Sequence, residues 1–305
     1  MASIILTGGG GLVGARLSEQ LLSDGHQLTH LVSSTREGRV PTFTYDPMAE
    51  TMPEQARKAL LESDIVIHLA GEPIAARRWS KPQKERIVQS RVQSTALLRN
   101  TIIDAKKKGE RHPARYIQAS AVGYYGNRGD EWLDESAKPG HDFLADTVVA
   151  WEQAAAPLID ALSTAFVRIG IVLDRDAGAL PKMAMPVKLF LGAIPGSGKQ
   201  WMSWIHIADL IALIRWLVLH PDLKGPFNAV SPEPIQAADF MKELARALGR
   251  PTLMPYVPEA ALKLGMGEMA EMITTGSRVS CKKIEQTGFS FQFKNLPSAL
   301  ADLFE

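Results

Sequence analysis

Eight residues near the start of the chain, Thr7-Gly8-Gly9-Gly10-Gly11-Leu12-Val13-Gly14, constrain its fold more than any other feature. They follow a short apolar run, 3–7, and open an amphipathic stretch, 13–24, so the glycines fall where a strand turns into a helix. In that setting Gly8 serves a tight turn, Gly11 a close approach of backbone to a pyrophosphate, and Gly14 close helix–strand packing. The start of the helix presents free N–H groups and a positive dipole end to the phosphates. The segment implies a dinucleotide site built from Thr7, Gly8, Gly11, Leu12, Val13 and Gly14 on an α/β, doubly wound parallel sheet of Rossmann type.

Which dinucleotide is read at the end of the next strand, 27–32, where an acid would bind a ribose 2′-hydroxyl and an arginine would accept a 2′-phosphate. The residues there are Ser33, Ser34, Thr35, Arg36, Glu37, Gly38 and Arg39. Hydroxyls and Arg36, with no acid at the strand end itself, favour NADP(H) over NAD(H). Arg36 and Arg39 also fit a plain solvated loop.

Alternation of short apolar runs with helix-period segments continues through 64–70, 87–107, 115–119, 145–162 and 164–173, the pattern of βαβ units. From Asp174 glycines and prolines break that pattern. Residues 1–173, with 204–230 returning to them, are expected to form the dinucleotide-binding domain, and 174–203 with 231–305 a smaller C-terminal substrate lobe.

The 305 residues carry 34 Lys+Arg against 33 Asp+Glu, so no global field selects nucleic acid or an anionic membrane, and a small-molecule substrate is expected. Cys281 is the sole cysteine, which excludes an internal disulfide and fits a reducing, cytoplasmic setting. No signal-peptide pattern or bilayer-length apolar run is present. His26 and His30 lack a third ligand, so no metal site is expected. Gly196-Ser197-Gly198-Lys199 evokes a phosphate loop, but Ala193 and Gln200 stand where its first glycine and its Ser/Thr belong.

The glycine spacing, Leu69-Ala70-Gly71, and Ser120 with Tyr125-Gly126 resemble the extended short-chain dehydrogenase/reductase superfamily. Glu72-Pro73-Ile74, Arg78-Trp79, Ser90-Arg91, Trp151-Glu152, Ser203-Trp204-Ile205-His206 and the ending Gly288-Phe289-Ser290-Phe291 extend the likeness. They resemble the "epimerase family protein" subgroup of the NAD-dependent epimerase/dehydratase family, with its C-terminal domain of unknown function. The resemblance implies a cofactor spread across the carboxyl ends of the strands, with Leu69, Ala70, Gly71 and Arg91 on its side of the site, and pairing of subunits into a homodimer through the helices at 87–107 and 145–162. Gly170, in the run 164–173, is expected to let the backbone pass close to the nicotinamide.

The superfamily's acid/base is a tyrosine with a lysine four residues on, the lysine easing proton loss from the phenol. Here the residues four beyond the five tyrosines are Ala49, Ser120, Arg128, Gly129 and Ala260, so the pair is absent. Phe143 and Thr147 stand in its place by position. The remaining candidates are Ser120, as a hydroxyl for a substrate carbonyl or as a turn cap, and Tyr124 or Tyr125 as a proton donor with Arg128 or Arg91 as the neighbouring cation. Arg91 is either a cation facing the pocket or a surface residue of its helix. Trp201, Trp204 and His206 read as a pocket wall, His206 being buried and hydrogen-bonded. Two functions fit: an NADP(H)-dependent, epimerase-like oxidoreductase with a non-standard proton donor, or a catalytically silent NADP(H)-binding regulatory or interaction protein.

Overall fold

The computed structural model describes residues 1–34 and 38–305; Arg36 lies outside the described residues. Seven strands form one sheet: β1 (Ser3–Thr7), β2 (Gln27–Val32), β3 (Thr42–Thr44), β4 (Ile65–His68), β5 (Arg115–Ala121), β6 (Ser163–Ile169) and β7 (Gly225–Ala229). Their order is β7-β6-β5-β4-β1-β2-β3 and every pairing is parallel. From β1 the chain winds outward to β3 and then crosses back to β4 on β1's other side. The crevice at that reversal, beyond the carboxyl ends of β1 and β4, is where open sheets of this kind bind ligands.

Both faces are covered, which is why the strands read as unbroken apolar runs. Ile4, Leu6, Ile65, Ile67, Ile117 and Val167 point into one core with Leu17 and Leu21 of α1 (Leu12–Ser23). Ile5, Val66, Tyr116 and Phe166, one residue out of step, enter the opposite core with Leu60 of α2 (Glu54–Glu62) and Leu98 of α3 (Lys81–Lys107). Helix α4 (Phe143–Ala155) packs against α3, while α5 (Ile207–Leu219) joins the first core through Leu210, Leu213 and Leu217. A separate core gathers Leu180, Val187, Trp204, Phe240, Leu244 and Leu300 from the helices Leu180–Lys188, Ala237–Ala247 and Leu296–Phe304 and the strand Trp204–His206. Trp204, expected in a pocket wall, is therefore a core residue. Among the described residues no helix is long and apolar enough to cross a membrane.

Boundaries shifted for local reasons. Helix α3 starts at Lys81, six residues before its first buried aliphatic, Ile87, because Ser80 accepts from the Gln83 amide at 3.4 Å and Pro82 suits a first turn. Helix α4 stops at Ala155 because Pro157 follows. The run 164–173 divides at Gly170, where a Cβ would sit 2.4 Å from the Ser203 carbonyl oxygen. Gly170 thus yields space to another stretch of the chain itself.

Candidate active site

The glycine turn is dictated from inside at two positions. Gly8 has φ +76°, and a Cβ there would lie 2.7 Å from the Leu69 carbonyl carbon, so strand ends β1 and β4 meet backbone to backbone. At Gly14 a Cβ would lie 2.2 Å from the Gly8 carbonyl oxygen, so α1 closes onto the turn. Gly11 differs. Its backbone is extended at φ −84°, its nearest neighbour for a Cβ is an ordinary 3.4 Å away, and it starts α1 with no side-chain cap and no acid in the first turn. Nothing internal requires glycine there, whereas an approaching diphosphate does. The residues present fit a dinucleotide on this observation.

Behind the turn the polar groups are fully committed. Thr7 Oγ1 accepts from the Ala70 amide at 3.2 Å and meets His68 Nδ1 at 2.6 Å. His68 Nε2 reaches Thr95 Oγ1 at 3.1 Å and Ser94 Oγ at 3.2 Å, and the Trp151 indole N–H donates to the same Thr95 hydroxyl. Burial, with a smaller contribution from the Arg91 charge, depresses His68 to about 3, so the ring is neutral. The chain 69–71 is thereby pinned beside the glycine turn.

Arg91 is neither a surface residue nor aimed at the tyrosines. Its Nη1 donates to the Glu72 and Ile87 carbonyl oxygens at 3.0 Å each, its guanidinium lies 5.1 Å from the Trp151 ring, and a Cβ on Gly71 would come within 3.0 Å of it. Burial lowers it to about 10, which leaves it charged. Arg128 is bound to Glu131 on its own loop. The cation beside the tyrosines is instead Arg168, near the carboxyl end of β6.

Arg168 organises the ends of β5, β6 and β7. Its Nε donates to Glu152 Oε1 at 2.9 Å and its Nη2 to Oε2 at 2.8 Å, while Ser120 Oγ donates to Oε1 at 2.6 Å. Nη1 donates to the Tyr125 hydroxyl at 3.0 Å, which donates onward to Asn228 Oδ1 at 2.7 Å. Burial alone would depress Arg168, but the hydrogen bonds and charge of Glu152 carry it well above its ordinary value. Burial pushes Tyr125 up to about 12, so this phenol holds its proton at neutral pH. Ser120 has spent its proton on Glu152 and is buried.

Tyr124 is placed differently. Its ring centroid lies 3.5 Å from the Arg168 guanidinium carbon and meets Tyr125 edge-on, it is half-buried, and no described residue hydrogen-bonds its hydroxyl. Phe143, at the start of α4, packs edge-on to Trp79 with centroids 4.9 Å apart, with the Lys84 ammonium 4.9 Å from its ring. Thr147 is buried and donates to the Phe143 carbonyl oxygen at 2.7 Å. His206 is buried; its Nδ1 accepts from the Ala208 amide at 3.2 Å to cap α5, and its ring lies against Phe293. Ser33 and Ser34 follow directly on the carboxyl end of β2, and both are exposed.

The model of the NAD dependent epimerase/dehydratase family matches residues 4–146, and that of a domain of unknown function, DUF1731, matches residues 257–303. Epimerase family protein YfhF of Bacillus subtilis is 36% identical over 306 residues, covering 99% of this chain and 97% of its own. The chain belongs to the NAD dependent epimerase/dehydratase family. Within that family the chloroplastic SDR39U1 homolog of Arabidopsis thaliana is 32% identical over 99% of this chain and 87% of its own length. The structure of human epimerase family protein SDR39U1 (isoform 2) with NADPH superposes with a TM-score of 0.88 at 30% identity, covering 99% of this chain and 98% of that one. A nucleoside-diphosphate sugar epimerase from Corynebacterium glutamicum gives a TM-score of 0.79 at 32% identity over 99% of this chain and 58% of that chain. This epimerase-family protein therefore has the family's NAD(P)-binding fold, extended by a C-terminal region.

Arg168 and Asn228 went unassigned at the sequence level, although a signal for the first existed. A lone arginine inside Ala165-Phe166-Val167-Arg168-Ile169 must be buried with the strand, and a buried charge demands a partner.

Proposed function

We propose that this protein is an NADPH-dependent, epimerase-like oxidoreductase acting on a small polar carbonyl or alcohol, with Tyr124 as its proton donor in place of the absent tyrosine–lysine pair. The observation that carries the reading is the half-buried Tyr124 hydroxyl without a partner, its ring held 3.5 Å from the guanidinium of Arg168. The glycine turn 8–14, the pinned chain 69–71 and the hydroxyls of Ser33 and Ser34 would hold the dinucleotide, the last two favouring a 2′-phosphate. NADPH in the structure of the human relative supports that choice. When bound, the nicotinamide supplies or removes a hydride. Tyr124 then exchanges a proton with the substrate oxygen, and Arg168, gripped by Glu152, fixes the tyrosine ring.

A cofactor-binding protein without chemistry is the second reading, and Phe143 favours it. Its apolar ring, wedged against Trp79, occupies by position the place of the family's acid and cannot exchange a proton.

The test is oxidation of NADPH by the purified protein with a panel of small carbonyl compounds. The oxidoreductase reading predicts turnover that falls roughly a hundredfold in Tyr124→Phe, with NADPH binding retained. Unchanged turnover in that variant removes Tyr124, and tight NADPH binding with no turnover across the panel supports the silent protein.

A further inference from the structure

We propose that Arg278 is the anion subsite of this protein, a guanidinium clamped by Trp132 and Trp201 that binds a carboxylate or phosphate group of the substrate. Arg278 opens the short strand Arg278–Val279, which pairs in parallel with Trp132–Leu133 so that Arg278 stands opposite Trp132. The Arg278 guanidinium carbon lies 4.2 Å from the Trp132 ring centroid and 4.4 Å from that of Trp201.

Stacking fixes a guanidinium in place but uses none of its N–H groups, which point outward in the plane of the cation. Arg278 Nε is buried with no hydrogen-bond partner, and among the described residues neither terminal nitrogen donates to anything. Among the described residues no carboxylate forms an ion pair with it. Asp130, on the loop shared with Trp132, accepts from the Trp201 indole N–H at 2.7 Å instead. Arg115 also has an unpartnered Nε, but both of its terminal nitrogens donate to hydroxyl or carbonyl oxygens, and Arg168 is bonded to the Glu152 carboxylate; the free terminal nitrogens set Arg278 apart from these two. A cation immobilised by two aromatic rings and left with a free terminal fork has the form that grips a carboxylate or phosphate with two parallel hydrogen bonds.

Its place in the fold puts that fork at the substrate side. The preceding residue, Ser277, donates from its hydroxyl to the carbonyl oxygen of Gly126, directly after the Tyr124-Tyr125 turn. The following residue, Val279, donates from its amide to Ser203 Oγ at 3.1 Å, and the Ser203 carbonyl oxygen is the group that abuts Gly170 at the end of β6. Arg278 thus hangs between the turn after β5 and the end of β6, on the C-terminal region. The inference rests on the reading that a small molecule is bound there, and it names that molecule's chemical class: an anion.

Isothermal titration of the full chain with inorganic phosphate and, separately, with acetate tests it, each with and without saturating NADP⁺. The expected result is saturable binding of at least one anion, weakened roughly tenfold or more in Arg278→Gln. Arg278→Lys, which keeps the charge but loses the fork, is expected to bind with intermediate strength, and Arg250→Gln, at a half-buried arginine over the Phe190 ring, as the unaltered protein does. Preference for phosphate or acetate assigns the group. Equal binding by Arg278→Gln and the unaltered protein, or no binding of either anion, overturns the proposal. Failure of NADP⁺ itself to bind would instead remove the cofactor reading and leave the anion comparison standing.

Discussion

Arg168 and Glu152 form a two-pronged ion pair, 2.9 Å and 2.8 Å, with side chains only 4% and 14% exposed. The pair ties the carboxyl end of β6 to α4, and Ser120 and Tyr125 hang from its two ends. Removing one partner of such a buried pair strands the other's charge. Glu152→Ala should therefore lose about 3–5 kcal/mol of stability, read by chemical denaturation. Glu152→Gln, which keeps an oxygen to accept from Arg168, should lose less. A Glu152→Ala protein as stable as the unaltered one would show that the pair is dispensable.

The glycines of the turn should separate by function. Gly14→Ala drives a methyl into the Gly8 carbonyl, so both folding stability and NADPH affinity fall. Gly11→Ala fits the backbone and the space, so its melting transition stays within about 1 kcal/mol of the parent while NADPH binding weakens. Parallel loss of stability and binding in Gly11→Ala would mean that the residue serves the fold alone.

Acid should weaken the protein through its buried histidines. His68 is neutral in the folded chain, held at about 3 against an ordinary 6.5, and burial also lowers His30 and His206. Below pH 6.5 the unfolded chain takes up a proton that the folded chain refuses, so stability is lost as pH falls from 6.5 toward 3. His68 alone contributes a slope of about 1.4 kcal/mol per pH unit in that window. Denaturation curves between pH 7 and pH 5 should show the slope, and His68→Gln should reduce it. An unchanged slope in that variant contradicts the assignment of a neutral, buried imidazole.

The two adjacent tyrosines should respond oppositely to loss of the hydroxyl. Tyr125→Phe strips a partner from both Asn228 and Arg168 in the interior and should cost about 1–3 kcal/mol of stability. Tyr124→Phe removes an oxygen that bonds no described residue, so stability should hold. Melting curves of the two variants side by side distinguish them; the reverse ranking would exchange the roles assigned to the two rings.

What could be read in advance follows from what each feature depends on. Strands buried on both faces announce themselves as runs such as Ile4-Ile5-Leu6 and Ile65-Val66-Ile67, and the glycine turn lies in one continuous stretch. The edge strand Thr42–Thr44 has too few residues to show a period, and α2 was passed over although Ala56, Leu60 and Leu61 make its buried face. The Rossmann sheet and the family were legible for the first reason. The Arg168 network and the Arg278 clamp were not, because each joins side chains from distant segments: Ser120, Glu152, Arg168 and Asn228 in one, Trp132, Trp201 and Arg278 in the other. No spacing rule connects such positions; the parallel pairings and the short strand beside Trp132 do.

The central claim, an NADP(H) site at the glycine turn, is tested most directly by titrating the purified chain with NADPH and with NADH and following cofactor fluorescence. The account predicts saturable NADPH binding, with NADH weaker by roughly tenfold or more, because Ser33 and Ser34 offer hydroxyls and no carboxylate at the end of β2. Binding of NADH as tight as that of NADPH, or of neither, contradicts it.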